Sequence, residues 1–363
     1  MAAENLVPIA TKFRISGSIQ NILPLGSGHI HDTYKVITTE SQYVLQKFNH
    51  SVFTQPEKVA ENIKAVAQHL KDKLVKSNVS DFWRNYLAPL RLLRNGGTLL
   101  AYQGAYWRMF PYIQHSYELQ IIENSTQAYE VARTVARFQA MLSDLPVERL
   151  HTTLPDFHHL PKRYAQFQQA LRNASPAREK MAKQAIFQLK SYRAFIQQDP
   201  VFQEETFLPI RVTHNDTKVN NVLLDTTTHQ GLCMIDLDTV MPGYVIHDFG
   251  DMVRTFCSPV DENSQELEKV LIRKPIFEAL CKGYLEEASA FLTEREIAYL
   301  LHGGKQMILI TATRFLTDFL AGDVYYKTQY EGHNLARAMN QLKLLEEVVI
   351  KEKKLQAIIF DYY

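Results

Sequence analysis

The stretch His214–Asp238, HNDTKVNNVLLDTTTHQGLCMIDLD, constrains the chain more than any other. A polar loop leads into the apolar run VLL, a polar turn, and a second apolar run, LCMI, that ends in Asp-Leu-Asp. Short apolar runs bounded by polar breaks read as paired strands. Three oxygen-bearing side chains sit along this unit: Asp216, Asn221 and Asp236. A carboxylate on a rigid loop orients a hydroxyl and takes its proton, which suits Asp216. An amide oxygen one short turn later and a carboxylate at the end of the next strand are hard ligands, so Asn221 and Asp236 suit magnesium. Asn220 is a neighbour of the wrong offset, and His214 reads as a packing and hydrogen-bonding residue under the loop.

The chain has 363 residues, enough for two or three domains or one domain of two lobes. An apolar fraction of 46% and a charged fraction of 22% are those of an ordinary globular protein. Net charge is +1, which gives no electrostatic case for nucleic acid or an anionic membrane. The opening MAAENLVPIATKFRISG lacks a basic segment followed by an apolar core, so no signal peptide is expected. No apolar run approaches membrane-spanning length. Cys233, Cys257 and Cys281 are odd in number and widely spaced, without a CxxC, against a disulfide framework or zinc site. A reduced, cytoplasmic chain is expected.

Residues 18–48 read as an antiparallel meander: SIQNILPL, a glycine turn at Gly26-Ser27-Gly28, the alternating DTYKVITT, then QYVLQKF. Glycines in such a turn let backbone N–H groups approach a phosphate, though alone they also read as a tight hairpin. Alternation puts Val44 and Gln46 on one face of the third strand and Leu45 and Lys47 on the other. Lys47 is either a snorkelling edge lysine or a phosphate ligand. Pro56–Leu74 has helical spacing, with Glu61, or its rival Glu57, as a partner for Lys47. Residues 98–113 form a hairpin with Gly104 in the turn, running into MFPYI, where a crossing between lobes is expected. From about Gln127 the pattern is helical. LPDFHHL (154–160) reads as a loop, since adjacent histidines point in different directions. Helices are expected at 161–174, 178–198, about 264–286, 293–320 and 333–352. The division expected is 1–113 for a β-rich N-lobe with one helix and 114–363 for a helical C-lobe.

Transfer of a γ-phosphoryl group needs an in-line nucleophile, a proton acceptor and neutralised phosphate charge. The stretch THNDTKVNNVLLD…CMIDLD resembles the HxDxxxxN motif, followed by a metal-binding aspartate, of the aminoglycoside phosphotransferase and choline kinase superfamily. The resemblance spans roughly residues 18–355. It implies an α+β, two-lobed protein-kinase-like fold with a small antiparallel β N-lobe and a mainly helical C-lobe. It also implies ATP held by Gly26, Ser27, Gly28, Lys47, Phe110 and Tyr112, Asp216 as base, and Mg2+ on Asn221 and Asp236. Asp248-Phe249-Gly250 spells the DFG of protein kinases, but it lies on the far side of the strand that already ends in Asp236. Asp248 and Asp251 are therefore given structural roles, such as capping the helix that follows. An APE-type motif and a long activation segment are missing.

A finer resemblance, to the N-acetylhexosamine 1-kinases, is carried by GSGHIHDTY (26–34), HNDTKVNNVLLD (214–225) and TRFLTDFLAGDVYYKT (313–328). It implies transfer to the anomeric hydroxyl of GlcNAc or GalNAc, with Arg314 and Tyr325 on the sugar and His29 and Asp32 reaching it from the N-lobe. The bland alternatives are an i,i+4 ion pair of Arg314 with Asp318 and core packing of Tyr325. An aminoglycoside, choline or homoserine kinase is the alternative function, and the acidic PVDENSQELE (259–268) leaves an amine acceptor open. A catalytically silent binding module would not need the intact Asp216, Asn221, Asp236 and Lys47 set. The expected partners are ATP and a small-molecule sugar, without nucleic acid or membrane, in a monomer or weak homodimer.

Overall fold

The computed structural model describes residues 6–26, 30–77, 81–204 and 206–363. The chain forms two compact units. The first takes in the chain up to Tyr117 together with Met141–Leu154 and Leu223–Pro242. The second takes in Glu118–Ala140, Pro155–Val222 and Gly243–Tyr363. The first unit thus recruits, from beyond residue 113, most of the hairpin that ends in Asp236.

In the first unit, β1 (Ile19–Pro24), β2 (Asp32–Thr38), β3 (Gln42–Phe48), β4 (Leu100–Tyr102) and β5 (Ala105–Pro111) form one antiparallel sheet in the order β1-β2-β3-β5-β4. The β4–β5 turn has positive φ at both Gln103 and Gly104, the backbone a two-residue hairpin needs. Register sets Gln46 beside Arg108 and Lys47 beside Trp107 and Asp32. One side of the pleat carries Ile22, Val36, Tyr43, Leu45, Trp107 and Met109, which pack with Leu6, Ile9 and Phe13 from the chain's start. The other side carries Gln46, Phe48, Arg108 and Phe110.

Helix α1 (Pro56–Lys76) starts at a proline, as the sequence suggests, and buries Val59, Ile63, Val66 and Leu70 on one stripe. Its buried Asn62 donates to the carbonyls of His151 (2.8 Å) and Val240 (3.0 Å), tying the recruited segments to the helix. Strands β6 (Val222–Asp225) and β7 (Gly231–Met234) are the expected hairpin.

The second unit is helical. It contains most of α2 (Ser125–Leu142), then α3 (Leu160–Asn173), α4 (Val245–Phe256), α5 (Lys274–Ala288), α6 (Leu300–Ala321) and α7 (His333–Asp361). Instead of one helix over 178–198, the chain runs through short helices that bend at Ala182 and Tyr192, where ψ lies near zero. Helix α6 is apolar on nearly all sides because α3, α4 and α7 all pack on it. It meets α4 backbone to backbone: a Cβ on Gly250 would lie 2.3 Å from the Gly303 carbonyl oxygen. No helix among the described residues is long and apolar enough to cross a membrane. The three cysteines are free and buried.

The α4–α6 crossing predicts opposite outcomes for two glycines. Gly250→Ala forces the helices apart and should lower stability to urea by about 3 kcal/mol. Gly304→Ala meets only a Val253 methyl at 3.4 Å and should be neutral or stabilising by up to about 1 kcal/mol. Equal behaviour of the two variants would refute the close crossing.

Candidate active site

In the second unit, the loop His214–Asn221 leaves the short strand Arg211–Thr213 and closes in a single helical turn, Val219–Asn221. Asn215 takes a left-handed φ of 64°, tolerated by asparagine, and turns the chain so that Asp216 stays partly open. The loop is held from behind by Asp248. Its carboxylate accepts the backbone N–H of Asn215 (2.7 Å) and of His214 (2.9 Å) and the Gln139 side-chain amide (2.7 Å). Its carbonyl accepts the Thr217 hydroxyl (2.6 Å). Burial pushes the Asp248 pKa up, opposed chiefly by His214. Asp248 therefore caps this loop rather than its own helix α4, which differs from the helix-capping role expected from sequence.

Asp216 accepts from Lys218 Nζ and from the Asn221 amide nitrogen, both at 2.9 Å. Burial raises its pKa, but Lys218 first, then His214 and Asn221, outweigh that and hold it below the ordinary carboxylate range. The Asn221 nitrogen also donates to the Asp216 carbonyl (2.8 Å), so its amide oxygen points away from Asp216. Asp251 is committed to Arg254 (2.8 Å), which also holds Glu262 (2.6 Å).

In the first unit, Asp236 follows the end of β7 in a left-handed conformation (φ 59°, ψ 55°) and is partly exposed. A carboxylate oxygen of Asp236, a ring nitrogen of His31 and a carboxylate oxygen of Asp238 lie within 4.8 Å of one another, a grouping that resembles a metal site. Two of the three are occupied by each other. Asp238 is bound by both ends of the Arg108 guanidinium, 2.8 Å at Nη2, and by His31 Nε2 at 2.5 Å. Arg108 Nε donates in turn to Gln46 (2.9 Å). His31 Nδ1 accepts the Asn49 N–H (3.0 Å), so Nε2 carries the proton and faces Asp238 as a donor. Burial opposes the charge of Asp238, but Arg108 and His31 drive its pKa far down. Asp236 is the one of the three that is partly exposed.

Of the residues expected to hold a nucleotide, Gly26 has φ +70°, with open space where a side chain would begin. Ser27 and Gly28, with His29 of the acceptor set, lie outside the described residues. Lys47 falls on the Trp107 side of β3, opposite Gln46, Arg108 and their partners, and makes no ion pair among the described residues. The sequence offers Lys47 either as a snorkelling edge lysine or as a ligand of phosphates beneath the glycine turn, and its face of β3 is the one opposite Arg108. Glu61 instead pairs with His151 (2.8 Å), and Glu57 hydrogen-bonds Tyr106. Asp32 is exposed and cross-strand from Lys47, on that same side. Phe110 is buried beneath Arg108, and the Tyr112 N–H continues the sheet to Gln42 (3.0 Å).

At the far end of α6, in the second unit, Arg314 lies over three rings, Phe157 and Tyr326 at 5.5 Å and Tyr325 at 5.8 Å. Asp318 is not its partner. That carboxylate accepts the N–H groups of Val324, Tyr325 and Tyr326 at 2.8–3.0 Å and the Asn334 amide. Tyr325 is 61% exposed, so core packing does not account for it. Sequence reasoning missed Arg108, His31, Asp238 and Lys218. The only signal for Asp238 was a second aspartate two residues after Asp236.

Residues 21–284 match the model of the APH phosphotransferase enzyme family. The chain belongs to that family. Solved structures agree on the fold. A microcompartment-associated aminopropanol kinase superposes with a TM-score of 0.60 at 16% identity, over 96% of this chain and 98% of its own. Spectinomycin phosphotransferase, solved with ADP and spectinomycin, gives 0.55 at 12% identity over 96% and 99%. Choline kinase from Cryptosporidium parvum Iowa II gives 0.53 at 14% identity over 96% and 97%. The APH-family chain is thus a phosphotransferase with the kinase-like α+β fold: an antiparallel sheet in its N-lobe and a helical C-lobe. Asp238, bound by Arg108 and His31, is a structural carboxylate. Asp238→Ala strands a buried guanidinium and should cost about 3–5 kcal/mol in urea unfolding. Asp32→Ala, at an exposed site, should change stability by less than about 0.5 kcal/mol. An Asp238→Ala protein as stable as wild type would show that the ion pair contributes nothing.

Proposed function

We propose that the protein is an ATP-dependent kinase of small molecules that phosphorylates the anomeric hydroxyl of N-acetylhexosamines, GlcNAc or GalNAc, to give the sugar 1-phosphate and ADP. The supporting observation is Arg314, which makes no ion pair among the described residues and is walled by aromatic rings. Arg163 stands beside it, donating to the Phe157 carbonyl (2.9 Å), and its pKa is lowered by burial and by Arg314. An ammonium-bearing acceptor would meet two guanidinium groups there. A neutral polyol with an amide carbonyl would meet donors and flat apolar surface, as sugars favour.

In this assignment the Asp216 carboxylate orients the acceptor hydroxyl and takes its proton as the O–P bond forms. Its depressed pKa keeps it ionised at neutral pH, while Lys218 and Asn221 fix its orientation. By the motif's spacing and donor chemistry, Asn221 and Asp236 would be the residues to hold magnesium, which prefers hard oxygen ligands. Bound magnesium would neutralise charge on the transferred phosphoryl group. The fold neighbours include kinases named for amino alcohols, so an amino-alcohol or aminoglycoside hydroxyl is the rival acceptor.

An acceptor panel with ATP and magnesium decides between them, with the product's phosphate position read by 31P NMR. Turnover of GlcNAc or GalNAc at C1 is expected, lost on chelation by EDTA and reduced about 10²- to 10⁴-fold in kcat by Asp216→Asn. Arg314→Met should raise the sugar KM about 10- to 100-fold, as expected for a lost charged hydrogen bond. Turnover confined to choline, aminopropanol or an aminoglycoside would overturn the sugar assignment.

A further inference from the structure

His158 precedes α3 and is 8% exposed. Its Nε2 lies 3.0 Å from the carbonyl oxygen of Asn215, the residue just before Asp216. A carbonyl only accepts, so Nε2 holds the proton and Nδ1 presents a lone pair. That lone pair is buried and has no hydrogen-bond partner among the described residues. Burial above all, then the neighbouring His247, pushes the pKa of His158 well below that of an ordinary histidine, so the ring is neutral at physiological pH.

The groups around it are otherwise occupied. His247, with its ring 5.3 Å away, directs Nε2 to Gln306 at 3.0 Å. Gln306 continues to Asp199, which also meets His302. Phe157, its ring centred 4.4 Å from that of His158 and tilted 45° to it, carries the Arg314 guanidinium over its own ring. Both Asp216 and Arg314 act on His158 electrostatically. A buried acceptor without a donor is unfavourable wherever nothing fills it. Here it is fixed to the catalytic loop on one side and, through Phe157, to Arg314 on the other.

We propose that His158 Nδ1 accepts a hydrogen bond from the acceptor substrate, from a hydroxyl or amide N–H flanking the hydroxyl to be phosphorylated. It is then a specificity-determining residue, a role that presupposes the phosphotransfer site at Asp216 and Arg314 proposed above. The ligand class is a neutral molecule with a donor adjacent to its reactive hydroxyl. An ammonium would also donate to Nδ1, but it would do so beside Arg314 and Arg163.

The test separates the two ring nitrogens. His158→Gln keeps a side-chain N–H within reach of the Asn215 carbonyl and replaces the Nδ1 lone pair by an amide oxygen at a different position. His158→Phe removes both. The acceptor is GlcNAc or, should GlcNAc not turn over, whichever panel compound does. His158→Gln should raise the acceptor KM about tenfold while leaving the ATP KM and the thermal midpoint near wild type. The penalty should shrink towards zero on a deoxy analogue lacking the donating group. An unchanged acceptor KM in His158→Gln, with only His158→Phe impaired, would mean a structural histidine and overturn the proposal. A raised KM for an amino alcohol would keep the role of His158 and remove the sugar assignment instead.

Discussion

The buried carboxylate of Asp248 is the interaction on which the second unit's chemistry depends. It accepts two consecutive backbone N–H groups, at His214 and Asn215, and a side-chain amide from Gln139. A loop that turns through a left-handed asparagine has N–H groups directed inward and no strand or helix to receive them. Asp248 receives them from α4, an element that is itself fixed by close packing on α6. Burial works against its charge, and the donors work for it. The cost of that charge is accepted because the alternative is a buried loop with unsatisfied backbone.

The first unit repeats the logic with different partners. Asp238 is buried and bound by Arg108 and His31, while Asp236, two residues earlier, is partly exposed at a left-handed position. Asp248 receives backbone N–H groups and Asp238 receives side-chain donors, while Asp216 and Asp236 are partly exposed. The division explains why adjacent acidic residues of the same type are not interchangeable. Arg108 is suited to its place because a planar guanidinium meets both oxygens of Asp238 at once and still has Nε for Gln46. Lysine would leave one of those groups unpaired.

Much of this was legible in the sequence. The meander, the Gly104 hairpin, the proline-started helix and the spacing from His214 to Asp238 are local patterns, and local patterns survive translation into structure. What sequence reasoning missed is long-range. Arg108 meets Asp238 across 130 residues, and no periodicity in either segment announces it. Alternation correctly put Gln46 and Lys47 on opposite faces, but not which face would be packed against Leu6, Ile9 and Phe13. Asp318 sits at the i+4 position from Arg314, where an ion pair is the ordinary outcome. Three backbone N–H groups of the loop after α6 won it instead.

That competition has an electrostatic consequence. A carboxylate accepting three N–H groups in a tight loop is fixed by geometry and is not free to follow a guanidinium. Arg314 is left to stack on aromatic faces, where cation–π attraction partly replaces an ion pair. Arg163 adds a second guanidinium nearby, and burial plus that mutual repulsion lowers the pKa of Arg163. Positive charge without a carboxylate partner, held against rings, favours oxygen-rich neutral groups over ammonium groups. Asp216 does not cancel it, since Lys218 already holds that carboxylate at 2.9 Å. In the proposed sugar kinase, specificity against amines arises from repulsion as much as from any contact a sugar makes.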